Sequence, residues 1–408
     1  NGIRGNVIVG QSGGPTAVIN SSLAGVFKTA KDRGANKVYG MLHGIQGLLQ
    51  ERYVDLEDHI KNDLDIELLK RTPSAYLGSC RFKLPDISQD REIYDKIFDI
   101  LNKLEIEYFF YIGGNDSMDT IKKLSDYSLL NGSNIRFMGV PKTIDNDLAV
   151  TDHTPGYGSA AKYIASTMKE IIRDALVQPI KIVNIIEIMG RNAGWLTAAA
   201  ALAKGDDCEG ADLIYLPETV FDINKFVAKV QEIQKTKKQI VVAVSEGVKT
   251  ADGKYVCESA SSNMLVDSFG HKQLSGTATA LANVISNEIG CKTRAIEFST
   301  IQRCASHIAS LTDVNEAFIV GGIAVKAAFD GETGKVGIFQ RLSNKPYLMG
   351  TSIYDVNAIA NVEKTVPQEW IINDGTGVSQ EALDYMRPLI QGEIYPYMVD
   401  GLPRHIKL

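Results

Sequence analysis

The sequence predicts an α/β fold, and three observations carry that prediction. Short β-branched runs alternate with helical patterns along most of the chain. Some of the runs are too continuously apolar for half-exposed strands and suit the middle of a parallel sheet. Glycine-rich turns follow several of them, where the chain must reverse into a helix.

Taken in order, residues 6–10 (NVIVG) read as the first strand, followed by a glycine turn and a helix with apolar Val18, Leu23, Val26 and Phe27 near helical spacing. Val38–Met41 reads as the next strand, and 108–112 (YFFYI) as a buried central one running into Gly113 and Gly114. A helix over 119–128 and a strand over 135–140 follow. The second half repeats the alternation. Residues 159–177 read as a long helix opened by a serine cap, Ile182–Ile188 as a buried strand, and 192–203 as a helix of small residues. Strands over 213–216 and 239–244 flank a helix over Ile223–Gln234. No internal repeat, low-complexity tract or linker interrupts the pattern, so several chain crossings are expected between domains.

At 408 residues the chain is long enough for two domains. A net charge of -6 argues against non-specific nucleic-acid binding, which needs basic surface, yet permits a local cationic pocket for a small anion. The five cysteines are scattered without CxxC or HxxxH spacing, which favours reduced thiols over a zinc site or a disulfide framework. No stretch approaches the ~20 apolar residues of a membrane span, and the opening NGIRGN has no apolar signal-peptide region. The expectation is therefore a soluble cytoplasmic protein without membrane partners.

Four features fall at strand ends, where α/β proteins bind ligands. Gly10-Gln11-Ser12-Gly13-Gly14 places glycines between strand and helix, so that backbone N–H groups can approach an anion. Read alone, the same glycines equally make a ligand-free turn. Gly113-Gly114-Asn115-Asp116-Ser117 brings an amide, a carboxylate and a hydroxyl to the next helix start, with Ser117 as a possible cap. Pro141-Lys142-Thr143-Ile144-Asp145-Asn146-Asp147 is the most informative. It offers a carboxylate to take a hydroxyl proton, a second to help hold magnesium, and a lysine to neutralise a transferring phosphoryl group. Met189-Gly190-Arg191 closes the 182–188 strand and is joined by Glu246, Arg294 and Arg303, with arginines suited to bidentate phosphate contacts.

With SGG, GGNDS, PKTIDND, MGRNAGWL, SEG and IQR in this order, the chain resembles the phosphofructokinases, in particular their pyrophosphate-dependent branch. The resemblance runs from about Asn6 to the end of the sequence. It implies two Rossmann-like three-layer domains with the active site in the cleft between them. On this basis residues 1–157, completed by about 305–385, are expected to bind the donor, 158–304 the sugar phosphate, and 386–408 to form a C-terminal segment. Asp145 is expected to be the general base toward the 1-hydroxyl of fructose 6-phosphate, with Thr143 beside it at the acceptor. Lys142 and Asp116 stand where ATP-using members commonly carry glycine. Asp116 is thus expected to fill the place of the ATP α-phosphate, and Lys142 to supply positive charge to pyrophosphate. Gly13, Gly14, Arg81, Gly114 and Ser117 are expected at the donor. Met189, Gly190, Arg191, Glu246, Thr300 and Arg303 are expected at the sugar phosphate, with Arg294 reaching from a neighbouring subunit of a homo-oligomer.

The sequence also departs from the family. Asn115 stands where many members have a magnesium-associated aspartate, so Asn115 and Asp147 are the expected Mg2+ residues, with ligation at Asn115 weaker or falling to Asp147. Thr300 replaces a common His or Tyr, and near 182–188 Lys181 stands one position off a usual arginine. Beyond Arg303 the chain is longer than in compact bacterial ATP enzymes, and its QEWIINDG and PLIQGE stretches are expected to pack near the sugar site. Three readings are compatible with these motifs. They are a reversible pyrophosphate-dependent phosphotransferase, an ATP-dependent kinase on the same fold, and a catalytically inactive sugar-phosphate-binding subunit. Asp116 with Lys142 favours the first, and the retained Asp145 and Lys142 weigh against the last.

Overall fold

A computed structural model describes residues 4–259 and 274–408. Residues 1–3 and 260–273, which fall within the two expected domains, lie outside the described residues. The strands of the two larger sheets are, in chain order, β1 (Asn6–Gln11), β2 (Val38–Met41), β3 (Tyr53–Asp55), β4 (Ile106–Gly113), β5 (Arg136–Pro141), β6 (Ile182–Ile188), β7 (Leu213–Tyr215), β8 (Gln239–Ser245), β9 (Lys292–Glu297), β10 (Lys335–Asn344) and β11 (Tyr347–Asp355).

The first sheet runs β11-β10-β5-β4-β1-β2-β3, parallel except at its edges, where β3 and β11 pair antiparallel. The second runs β7-β8-β6-β9 and is parallel throughout. β4 shows why its sequence reads as it does. It is hydrogen-bonded to β1 on one side and β5 on the other, and every residue except Glu107 is buried. Successive side chains point to opposite faces, so Phe109 and Phe110 enter different cores. Each such buried ring contributes about 1.5–3 kcal/mol. β6 occupies the same central place in the second sheet and is buried along its whole length. The chain is thus α/β, as the alternation predicts.

Strand order fixes where a ligand can sit. β1 leads to β2 on one side while β4, β5 and β10 lie on the other, so the chain reverses direction across the sheet between β1 and β4. The loops leaving β1, β4 and β5 carry the SGG, GGNDS and PKTIDND segments. In the second sheet β6 lies between β8 and β9, and their carboxyl ends carry MGR, SEG and the turn Ser299–Arg303.

Some local expectations are corrected. The helix after the SGG turn starts at Ile19, not directly at the glycines, so its N-terminal dipole does not abut them. The helix Asn115–Leu130 is capped by Gly114; Ser117 lies inside its first turn and is buried. The long helix starts two residues before Ser159, at Tyr157. The carboxylate of Asp313 does the capping there, accepting from Gly156 N at 3.0 Å and Ser159 N at 2.8 Å. The small-residue stretch divides into a short α-helix Trp195–Ala198 and a 3-10 turn Ala199–Ala203. No described helix is long and apolar enough to cross a membrane.

Candidate active site

A cleft of about 610 Å³ opens between the carboxyl ends of the two sheets. From the first side it is lined by Gly14, Arg81, Lys142, Thr143, Asp145 and Asp147, and from the second by Met189, Arg191, Glu246, Thr300 and Arg303. Motifs up to nearly three hundred residues apart therefore meet in one place.

The wall on the side of the first sheet is built by backbone geometry. Gly13 has φ +78°, a conformation that favours glycine, and its N–H donates to Cys80 O at 3.0 Å. This joins the SGG turn to the segment carrying Arg81. A side chain at Gly14 would meet Arg81 Nη2 at 3.1 Å and Arg303 Nη1 at 3.5 Å, so glycine there keeps both guanidiniums against bare backbone. Lys142 N donates to Gly113 O at 3.0 Å as β5 ends, and its ammonium donates to the carbonyl of Gly14. Burial, then the charge of Arg81, pushes Lys142 down to about 7, with Arg303 adding to the same effect. Burial likewise lowers Arg303, with Arg81 contributing. Three cations crowded at one end of a pocket make an electrostatic seat for a phosphate group.

The opposite charge gathers beside them. Burial raises Asp145, while Lys142 and Arg191 pull it back toward its anionic form. Asp147 is pushed up to about 8 by burial and by its neighbours Asp145 and Glu363. Glu246 rises to about 8 mainly through burial, although Gly190 N donates to its Oε1 at 3.1 Å. Gly190 has φ +136°, and a side chain there would come within 2.6 Å of Ala193 O, so the MGR turn requires glycine. Met189 N is fixed by Gln302 Oε1 at 3.2 Å, which ties this turn to the one carrying Arg303.

Asp145 and Asp147 fit a divalent cation: they are half-buried carboxylates of one turn that line the same cleft, and a cation relieves their mutual repulsion. Among the described residues no group of three ligating side chains forms a complete metal site. A cation here would therefore complete its shell with water and phosphate oxygens, as magnesium commonly does. Asn115 is placed differently from the expectation. Its Nδ2 donates to Val362 O at 2.8 Å and its Oδ1 accepts from Asn361 N at 2.6 Å, so its amide is committed to the 361–362 backbone.

Other expected residues lie behind or away from the lining. Gly114, Asp116 and Ser117 form the cap and first turn of the helix leaving β4, with Gly114 within 4 Å of Lys142 and Thr143 through its would-be side chain. Arg294 lies on β9, a sheet edge, 3.6 Å from Asp174, and is not part of this lining. The sequence reading missed Glu363, Asn192, Ser275 and Ser299, all at the cleft. Glu363 comes from a stretch without strand or glycine signals. It arrives through a bridge to Leu148 that sequence spacing does not announce.

Comparison with known proteins agrees with this arrangement. Residues 6–299 match the phosphofructokinase family. A pyrophosphate--fructose 6-phosphate 1-phosphotransferase of Halomonas elongata is 40% identical over 407 residues, which is 99% of this chain and 96% of that protein. The crystal structure of a pyrophosphate-dependent phosphofructokinase from Nitrosospira multiformis superposes with a TM-score of 0.88 at 38% identity, covering 98% of this chain and 96% of that one. Its counterpart from Marinobacter aquaeolei gives 0.87 at 37% identity, covering 99% and 96%. The cleft, its motifs and these likenesses together show that the chain belongs to the phosphofructokinase family.

Proposed function

We propose that this protein reversibly transfers a phosphoryl group from pyrophosphate to the 1-hydroxyl of fructose 6-phosphate, giving fructose 1,6-bisphosphate and phosphate. The observation that carries the reading is the meeting, in one cleft, of the Arg81, Lys142 and Arg303 cations with the half-buried carboxylate of Asp145. The names of the full-length relatives point to the same substrates.

In this reading Asp145 takes the proton of the 1-hydroxyl as its oxygen forms a bond to the nearer phosphorus. The bond from that phosphorus to the bridging oxygen breaks, and phosphate leaves. Burial raises the basicity of Asp145, and Lys142 and Arg191 keep it available as an anion. Thr143 shapes the turn, since its hydroxyl accepts from Asp145 N at 3.0 Å. Lys142, Arg81 and the Gly13–Gly14 backbone hold the donor, while Met189, Gly190, Arg191, Glu246, Thr300 and Arg303 hold the sugar phosphate. Asp116, in the first turn beside Gly114, excludes the larger nucleotide.

Phosphofructokinases generally need a divalent metal. We assign Mg2+, held by Asp147 with Asp145 alongside; when bound it neutralises charge on the phosphoryl oxygens. The division of labour follows the two sheets: residues 1–157 with about 305–385 for the donor, 158–304 for the sugar, and 386–408 as a C-terminal segment. The reading also places the enzyme in the cytoplasm as a homo-oligomer. There Arg294, on the exposed edge of its own sheet, serves a neighbour's site.

Phosphorus NMR of the reverse reaction tests the proposal. Fructose 1,6-bisphosphate, phosphate and Mg2+ should yield a pyrophosphate signal with the purified protein. Its absence at saturating phosphate contradicts the assignment.

A further inference from the structure

Asp145 and Asp147 face the cleft, but Asn146 between them does not. It is fully buried and holds φ +55°, a left-handed conformation that asparagine tolerates better than most residues. Both ends of its amide are engaged behind the site. Oδ1 accepts from Thr154 N at 2.9 Å, and Nδ2 donates to the hydroxyl of Tyr385 at 2.8 Å. That hydroxyl in turn donates to Asp152 O at 2.5 Å. One phenol oxygen therefore bridges residues 146 and 152 at the base of the acidic turn.

Tyr385 belongs to the helix Gln380–Met386, 239 residues further along the chain. Its ring is fixed on several sides. It packs 5.2 Å from Trp195 and 5.6 Å from Trp370, and the Arg341 guanidinium lies 4.6 Å over it. Arg341 also donates to Tyr385 O at 2.8 Å and to the Asp152 carboxylate at 2.9 Å. Lys364 completes the frame. Its backbone N donates to Asp147 O at 2.8 Å, and its ammonium donates to Thr151 O at 2.8 Å and Asp152 O at 2.9 Å. Residues from 341 to 385 thus grip the turn from behind at residues 146, 147, 151 and 152.

We propose that Tyr385 is a positioning residue for the transfer reaction: its hydroxyl fixes Asn146 and thereby aims Asp145 and Asp147 into the cleft. This rests on the function proposed above. Removing the hydroxyl leaves a buried amide donor without its acceptor, and the turn relieves this by rotating residue 146. Such a rotation swings both flanking carboxylates, and a shift of about 1 Å at a reacting group costs on the order of 100-fold in rate. Substrate affinity is spared, because Arg81, Arg191, Glu246 and Arg303 stand on other segments.

The test compares wild type with Tyr385→Phe, which keeps the ring and its packing. The variant should lose about 10- to 100-fold in kcat, with KM for both substrates within about threefold of wild type. Asn146→Ala should behave alike, and the double variant should fall no further than the worse single one. In an Asp145→Ala background Tyr385→Phe should cost nothing more, a pattern that general destabilisation does not produce. Melting temperatures and circular dichroism of each variant verify folding, and Asn146→Ala carries the test if Tyr385→Phe does not fold. Wild-type kcat in Tyr385→Phe, a rise in KM at unchanged kcat, or multiplicative losses in the double variant overturn the inference. A wild-type protein inactive in both directions defeats the proposed function and this inference with it, whereas an active wild type beside an unimpaired Tyr385→Phe defeats this inference alone.

Discussion

The ammonium of Lys142 donates to the carbonyl oxygen of Gly14, joining the end of β5 to the turn after β1 across 128 residues of sequence. This contact anchors a cation at the place where the first sheet reverses its strand order, beside Arg81 and Arg303. A buried lysine surrounded by other cations loses its proton more easily than usual, and an incoming phosphate reverses that bias. This end of the cleft is in this way prepared for an anion before one arrives.

Lys142→Met should therefore lower kcat with pyrophosphate by about 100- to 1,000-fold, the range for loss of one fixed charge aimed at a transferring group. The pH dependence has a definite sign. Lys142 lies near 7, so raising pH above 7 removes its proton and weakens anion binding. The wild-type KM for pyrophosphate should rise between pH 7 and 9 relative to that of Lys142→Met, in steady-state assays across that range. Parallel profiles would remove Lys142 from the donor site.

Asp145→Asn should depress kcat by about 100- to 10,000-fold, as expected for loss of a general base. Fructose 6-phosphate binding, followed by calorimetry, should change little because the arginines and Glu246 remain. A variant that turns over normally but binds sugar phosphate weakly would assign Asp145 to binding.

Asp116→Gly should allow ATP to bind, since the change removes both bulk and negative charge from the first turn after Gly114. Titration calorimetry with ATP should show heat for the variant and none for wild type. If neither responds, the exclusion of nucleotide does not come from Asp116.

Stability should carry a signature of His153. Its ring nitrogens lie 2.8 Å from the Asp152 carboxylate and 2.7 Å from that of Glu316. Burial opposes its charge, yet Glu316 and Asp152 outweigh burial and push it up to about 9. A folded-state value above the unfolded value of ~6.5 stabilises fully below that pH and is lost as pH rises through 9. The stability advantage of wild type over His153→Gln in urea should thus shrink by about 3 kcal/mol between pH 6 and pH 9.5. An advantage independent of pH would mean that His153 is neutral throughout.

What the sequence made legible was whatever short-range pattern controls. The continuous apolar run at 108–112 announced a central strand, and β4 is buried between two parallel neighbours. The PKTIDND segment placed its lysine and carboxylates at a strand end, and the structure brings them to the cleft. Long-range partners were not legible. Ser159 resembled a cap, but the capping oxygens belong to Asp313, more than 150 residues later. Glu363 and Tyr385 sit in segments that carry none of the strand-end motifs, and only the folded path of the chain beyond β11 brings them to the acidic turn. Asn115 read as a metal-site residue from its position in the motif, while its amide is spent on Asn361 and Val362.

The most direct test of the central claim is a coupled assay of fructose 6-phosphate with Mg2+ and either pyrophosphate or ATP, run side by side on the wild-type protein. Formation of fructose 1,6-bisphosphate with pyrophosphate and none with ATP is the predicted result. Turnover with ATP alone would contradict the donor assignment and the roles given to Lys142 and Asp116.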